Sequence, residues 1–276
     1  MLILQPVIHE TVWGTDLLSD LYDPECKHIG HLYSCNPEEN GSNLIMNGHY
    51  KGRTLYEYLT EQGKNHTDLQ FVIALVTPGE NLSIQVHPSS GPHKKNESWL
   101  FLKKPASSFI YNGCKTTDKT QIERQMRLGS PDSVTQKLYI ENGDYVYVQA
   151  GTLHAMTAGC IVYEIEELHG QTYRFYDYGR LDQNGQPREL QIEQALCHLR
   201  CENRSIAVPF AGTKAEEKYE VTVVNGGMYR NLSDKLECLT LIEGISALAE
   251  LKIGMSVILE PNEICDLGSG KYIASR

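Results

Sequence analysis

Asn81-Leu82-Ser83-Ile84-Gln85-Val86-His87-Pro88 reads as a short β-strand closed by a proline. Side chains alternate faces along a strand, so Gln85 and His87 point one way and Ile84 and Val86 the other. The isoleucine–valine face belongs against an apolar core. The opposite face carries an amide and an imidazole, which are costly to bury without partners. Hydrogen bonds, water or a metal ion would satisfy them, and the stretch by itself leaves all three open.

Other segments share this β-branched and aromatic character: LQFVIALV (69–76), SWLFL (98–102), DYVYVQA (144–150) and CIVYEIEEL (160–168). Pro78–Gly79, Gly91–Pro92, Asn142–Gly143 and Gly151 punctuate them. Short strands with turns at this spacing predict an all-β sandwich or barrel with small helical insertions, not a parallel α/β sheet. Three helical zones are expected, at 53–63, 117–138 and 188–201. In the second, Asp118 caps one helix and Ser130 begins another. In the third, Leu190, Ile192, Ala195, Leu196 and Leu199 make an apolar stripe. Residues 202–215 have a loop's composition, dividing a larger domain at 1–205 from a smaller β-domain at 206–276. The tail beyond them holds further strand-like runs (YEVTVVN, LECLTLIEG, LAELKIG, MSVILEP, KYIASR) and no histidine, as expected of a unit built for packing.

The chain has 276 residues and a net charge of −10, from 35 acidic against 25 basic side chains. That balance argues against nucleic acid and anionic membranes as partners, while leaving room for a local basic pocket that takes a small anion. No apolar run approaches the ~18 residues that span a bilayer. No basic segment precedes the short apolar start, so no signal peptide is expected. The eight cysteines are scattered without a Cys-x-x-Cys pair, the pattern of reduced packing residues in a cytoplasmic protein.

Two more stretches join the opening one. Glu97, in KKNESWLFL, stands at the entrance to the next strand, where a hairpin would return it beside Gln85 and His87. His154, in VQAGTLHAMTAG, follows the turn at Gly151. Imidazoles, a carboxylate and an amide oxygen form a nitrogen and oxygen donor set for a borderline divalent ion such as zinc. The absence of thiolates argues against a structural zinc finger and for a site open to solvent or substrate. Plainer readings stand beside this one. Glu164, Glu166 and Glu167 could form a solvated strand edge, and Arg174 with Asp177 a structural ion pair. Tyr173, Tyr176 and Tyr178 could be core or rim aromatics, and His31, His93 and His198 surface or hydrogen-bonded residues.

IQVHP, the glutamate of NESW, QAGTLHAM and TYRFYDYGR together resemble the type I mannose-6-phosphate isomerases, the zinc-dependent cupin enzymes of short bacterial form. VWGTDL, GRTLYEYL and PRELQIEQAL agree in order, and the resemblance covers about residues 1–200. It implies a cupin, jelly-roll-like β-barrel plus a second, smaller C-terminal β-domain. It also implies one Zn2+ per chain on Gln85, His87, Glu97 and His154. Arg174 would sit against the sugar, Glu164 would take part in proton transfer, and Lys95 would join them as a catalytic group. The implied activity is the interconversion of mannose 6-phosphate and fructose 6-phosphate. Such a reaction moves a proton between C1 and C2, so it needs a base over those carbons and positive charge on the developing enediolate. Two departures border the expected pocket. Ala74 stands where the family commonly has a lysine, and Gly30–His31–Leu32–Tyr33–Ser34 replaces a G-E-x-W-E segment. A non-phosphorylated or differently charged sugar is therefore the alternative substrate. An iron-dependent cupin oxygenase and a non-catalytic sugar-binding cupin are the alternative classes.

Overall fold

The computed structural model describes residues 1–64 and 68–276. They cluster into two units, each interrupted in sequence. One comprises Met1–His9, Leu32–Leu75 and Phe210–Arg276, and the other Glu10–His31 and Val76–Pro209. This differs from a single cut near residue 205, and strand pairing gives the reason. The N-terminal strand Leu2–Gln5 pairs antiparallel with Ser256–Leu259 on one side and Leu44–Ile45 on the other. The start of the chain thus completes the sheet of the tail. That seven-stranded sheet continues through Glu237–Glu243, Lys271–Ser275, Glu220–Asn225 and Thr213–Ala215. LAELKIG, expected as a strand, forms turns instead, with Leu251 donating to Leu248 and Met255 to Lys252.

The helix expected at 53–63 runs over Leu55–Glu61 in the first unit. Thr54 caps it through a reciprocal box: the Glu57 N–H donates to the Thr54 hydroxyl, and the Thr54 N–H to the Glu57 carboxylate. Thr54→Ala is expected to cost about 1 kcal/mol of unfolding free energy, within the range for lost N-caps, as read from urea denaturation.

The second unit holds the strands around the opening stretch, in two open antiparallel sheets. One runs Tyr173–Tyr176, Ile84–Val86, His154–Ala155, Phe109–Cys114, Thr135–Tyr139. The other carries Ala207–Pro209, Asp144–Val148, Glu97–Lys103 and Ile161–Glu167 in adjacent positions. On the outer face of the first sheet, Ile84, Val86, Leu153, Ala155 and Phe175 are buried with Ile122 and Met126 of helix Lys119–Arg127 and Ala195 of helix Ile192–His198. Burial of each large apolar side chain contributes roughly 1.5–3 kcal/mol, so this face fixes the register.

Two helical expectations are shortened. Asp118 does cap Lys119–Arg127, accepting from the Thr120 and Gln121 N–H groups. The run begun by Ser130 makes only a 3-10 turn, Pro131–Ser133, and Thr135–Tyr139 is a strand paired with Phe109–Cys114. The third helix is confined to Ile192–His198; Gln191 before it is held to the backbone of Arg174 in both directions. Among the described residues no helix is long and apolar enough to cross a membrane.

Candidate active site

Register places the polar side chains in one row. His154 and Arg174 lie directly opposite Gln85 on the two neighbouring strands, so all three share the face turned away from the helices. On the other sheet Glu97 lies opposite Glu166, and Trp99 opposite Glu164. These four again share one face.

The expected donors converge. Nε2 of His87 is 3.0 Å from one oxygen of Glu97, and Nε2 of His154 is 3.2 Å from the other. The Gln85 amide nitrogen is 3.2 Å from that same His154 nitrogen and donates to it in this amide orientation. His87, Glu97 and His154 are each only 1% exposed. Among the described residues they are the one group of three histidine, cysteine or acidic donors gathered closely enough to hold a metal ion.

Proton bookkeeping shows what the group lacks. Nδ1 of His87 donates to the Gln171 carbonyl and Nδ1 of His154 to the Thr152 carbonyl, both at 2.8 Å. A carbonyl only accepts, so each neutral ring keeps its proton on Nδ1 and turns a bare Nε2 lone pair toward Glu97. Burial lowers the His154 pKa to about 4, against the opposing pull of Glu97, so this ring is neutral at pH 7. Oε1 of Glu97 is buried and receives no hydrogen bond. Lone pairs facing lone pairs in a dry site call for a cation. Half a turn of the Gln85 amide places its oxygen beside them, completing a donor set that fits a divalent ion.

Carboxylates and one lysine surround the donors. Lys95, 8% exposed, pairs with Glu166, and its Nζ lies 3.5 Å from Glu97. Burial alone would depress the Lys95 ammonium, but Glu166, Glu97 and Glu164 outweigh it and hold the pKa above the usual range. Burial likewise opposes ionisation of Glu97, yet His87, His154 and Lys95 keep its carboxyl well below the ordinary value. Glu164 goes the other way: burial first, then the charges of Glu97 and Glu166, push it well above its ordinary value. The indole N–H of Trp99 donates to Glu164 at 2.9 Å. The backbone at Gly170 lies directly on the Lys95 stem, where a Cβ would fall 2.2 Å from Cδ, so only glycine fits.

The reading of Glu164, Glu166 and Glu167 as a solvated edge does not hold, because Glu164 and Glu167 are each 8% exposed. Nor do Arg174 and Asp177 pair. Asp177 binds Arg180 at 2.8 Å and Arg188 at 3.3 Å, leaving the Arg174 guanidinium without an ion pair among the described residues. His198 accepts from the Ser89 N–H and stacks on Tyr173, while exposed His93 bonds the His169 carbonyl. Sequence reasoning missed Trp99, although it lies two residues beyond Glu97 on the same strand face, a spacing that would have found it. It also missed Asn96 and Glu167, whose partners are distant in sequence.

No protein-family model matches the chain. The Bacillus subtilis protein YvyI is 31% identical over 210 residues, covering 71% of this chain and 66% of that one. The mannose-6-phosphate isomerase of Streptococcus mutans is 29% identical over 209 residues, with 71% and 66% coverage. Each match thus spans about two thirds of the curated relative. The solved mannose 6-phosphate isomerase of Bacillus subtilis aligns over 100% of this chain and 99% of its own, with a TM-score of 0.84 and 26% identity. The apo enzyme from Salmonella typhimurium shares the fold at a TM-score of 0.67 and 12% identity, covering 100% of this chain and 98% of its own. With its antiparallel sheets and the gathered donors, this chain belongs to the mannose-6-phosphate isomerase family.

Proposed function

We propose that the protein is a divalent-metal-dependent aldose–ketose isomerase that interconverts mannose 6-phosphate and fructose 6-phosphate. The observation that carries this reading is the pair of bare Nε2 atoms turned on a buried carboxylate, in a row that continues to an arginine with no ion pair among the described residues. His87, Glu97, His154 and the Gln85 amide oxygen would hold the ion, and zinc suits their borderline character. When bound, the ion polarises the substrate oxygens at the reacting carbons. Glu164 takes the proton from C2 and returns it to C1 while the O2 hydroxyl proton passes to O1, and its raised pKa makes its carboxylate a stronger base than an ordinary one. Trp99 fixes the carboxylate of this base through the indole N–H. Arg174 supplies fixed positive charge to the sugar, and Lys95 offsets the three glutamates around it. The free cysteines fit a cytoplasmic enzyme, and the acidic balance argues against nucleic-acid and anionic-membrane partners while leaving room for a local basic pocket.

Ala74 is buried and offers no charge where a lysine was expected, which makes the phosphate the part of the substrate to test. Mannose 6-phosphate, free mannose and other anionic sugars assayed on metal-loaded and chelated protein decide it. Turnover of the phosphate ester, abolished by chelation and restored by metal, is the expected result. Turnover of a free sugar alone would move the assignment to that sugar, and turnover by chelated protein would end the metal reading. Arg174→Met is expected to lower kcat/KM about 100-fold with metal content unchanged, in line with the loss of one preorganised donor.

A further inference from the structure

A buried amide ties the turn before His154 to the strand that carries Glu97. Asn96, next to Glu97 in sequence and 2% exposed, accepts the Ala150 N–H on its side-chain oxygen at 2.8 Å. Its side-chain N–H donates to Glu167 at 2.7 Å, and its backbone N–H reaches the other oxygen of that carboxylate at 3.3 Å. The Glu167 N–H donates back to the Asn96 carbonyl at 3.0 Å. One residue past Ala150, the Gly151 N–H donates to the carbonyl of His87, and Thr152 supplies the acceptor that orients His154. Gly151 has φ of 86° and its Cβ position lies 2.8 Å from Arg200, so only glycine fits this form of the turn. Asn96 therefore ties the turn to the Glu97 strand, while Asn203 and the Arg200 N–H hold its carbonyls. The turn contacts the backbone of His87 and orients His154.

We propose that Asn96, held by Glu167, is a positioning residue for the metal donors, fixing Glu97 and His154 at their mutual distance. This rests on the metal-dependent reading above. Both side chains are buried and neither touches the reacting groups, so their bonds act on geometry alone. Partners of this kind set metal affinity by about 10- to 100-fold. The bonding pattern also defines a reciprocal exchange, Asn96→Asp combined with Glu167→Gln. The carboxylate then stands at position 96, accepting from the Ala150 N–H and from the amide at position 167. The oxygen of that amide accepts from the backbone N–H of residue 96. Charge and hydrogen bonds are conserved.

Cobalt(II) titration of the full chain tests this, read as a dissociation constant and as the visible absorption of the bound ion. Asn96→Ala is expected to weaken cobalt binding about 10- to 100-fold and alter the absorption bands, and the exchanged double variant to return both to within about threefold of the parent. Wild-type affinity and bands in Asn96→Ala, or a double variant no better than the single, would overturn the proposal. If Asn96→Ala does not fold, Glu167→Gln disturbs the same pair without a change of size and is read in the same way. A parent protein that binds no cobalt would instead overturn the metal reading, and the positioning role with it.

Discussion

Glu97→Gln is expected to release the divalent ion and remove turnover, with binding weakened more than about 100-fold, beyond what outer-shell partners cost. Glu97 is the only anionic member of the donor set, and its carboxyl is held well below the ordinary range, so it is ionised across neutral pH. An amide cannot offset a double charge. Its N–H would also donate to a bare Nε2, at 3.0 Å for His87 or 3.2 Å for His154 in the parent geometry, filling the site with a competing bond. The metal-free variant is therefore expected to fold as well as the metal-free parent. Melting temperature separates the two: excess zinc or cobalt raises that of the parent, since an ion at 100 times its dissociation constant contributes about 2.7 kcal/mol, and leaves the variant unmoved. An unchanged metal content after dialysis would remove Glu97 from the donor set.

The opening strand was legible because a period of two puts Gln85 on the polar face without reference to any other segment. Glu97 and His154 could be paired with it only through hairpin geometry and the family resemblance. The reason is physical: spacing along the chain reports which face a residue takes, not which strand lies beside it. The register Arg174–Gln85–His154 joins three strands whose order, 173–176, 84–86, 154–155, is not the order of the chain. For the same reason the N-terminal strand's place in the sheet of the tail escaped notice, as did the bond from Asn96 to Ala150. Local signals did better where the determinant is local, as at the Asp118 cap. They overreached at 130–138, where the polar TQKL pattern suits a helix in isolation but is overruled by pairing with Phe109–Cys114.

Charge placement was the least legible feature. The sequence offers Glu164, Glu166 and Glu167 as three like neighbours, yet folding gives each a different partner. Trp99 donates to Glu164, Lys95 pairs with Glu166, and Asn96 donates to Glu167. Glu164 takes a neutral indole N–H where Glu166 takes an ammonium, so burial and the neighbouring carboxylates drive its pKa up. A single residue of the three is thus left with a raised pKa by what its neighbours already hold, as the proposed role in proton transfer requires.

That distinction yields the second large effect. Glu164→Gln is expected to lower kcat by about 10²- to 10⁴-fold, the usual contribution of a general base, with metal content unchanged. The parent carboxylate must be ionised to accept the C2 proton, so kcat/KM falls on the acid side of its pKa, and the variant should lose that acid limb. Stability is expected to move the opposite way. A carboxyl whose folded pKa is raised binds its proton more tightly folded than unfolded. Its stabilising contribution is complete below the ordinary value of 4.5 and is lost as pH rises through the raised one. Above the ordinary value, folding of the metal-free parent therefore works against the ionisation of this buried carboxyl. Glutamine removes the charge and keeps an oxygen for the Trp99 N–H. The metal-free variant should then melt roughly 2–4 °C higher at pH 7, corresponding to about 1 kcal/mol in a chain of this size, with the gain vanishing toward pH 4. A variant that loses activity while gaining stability identifies a group held in an unfavourable state for the reaction. Loss of metal together with lowered stability would make Glu164 a structural member of the site.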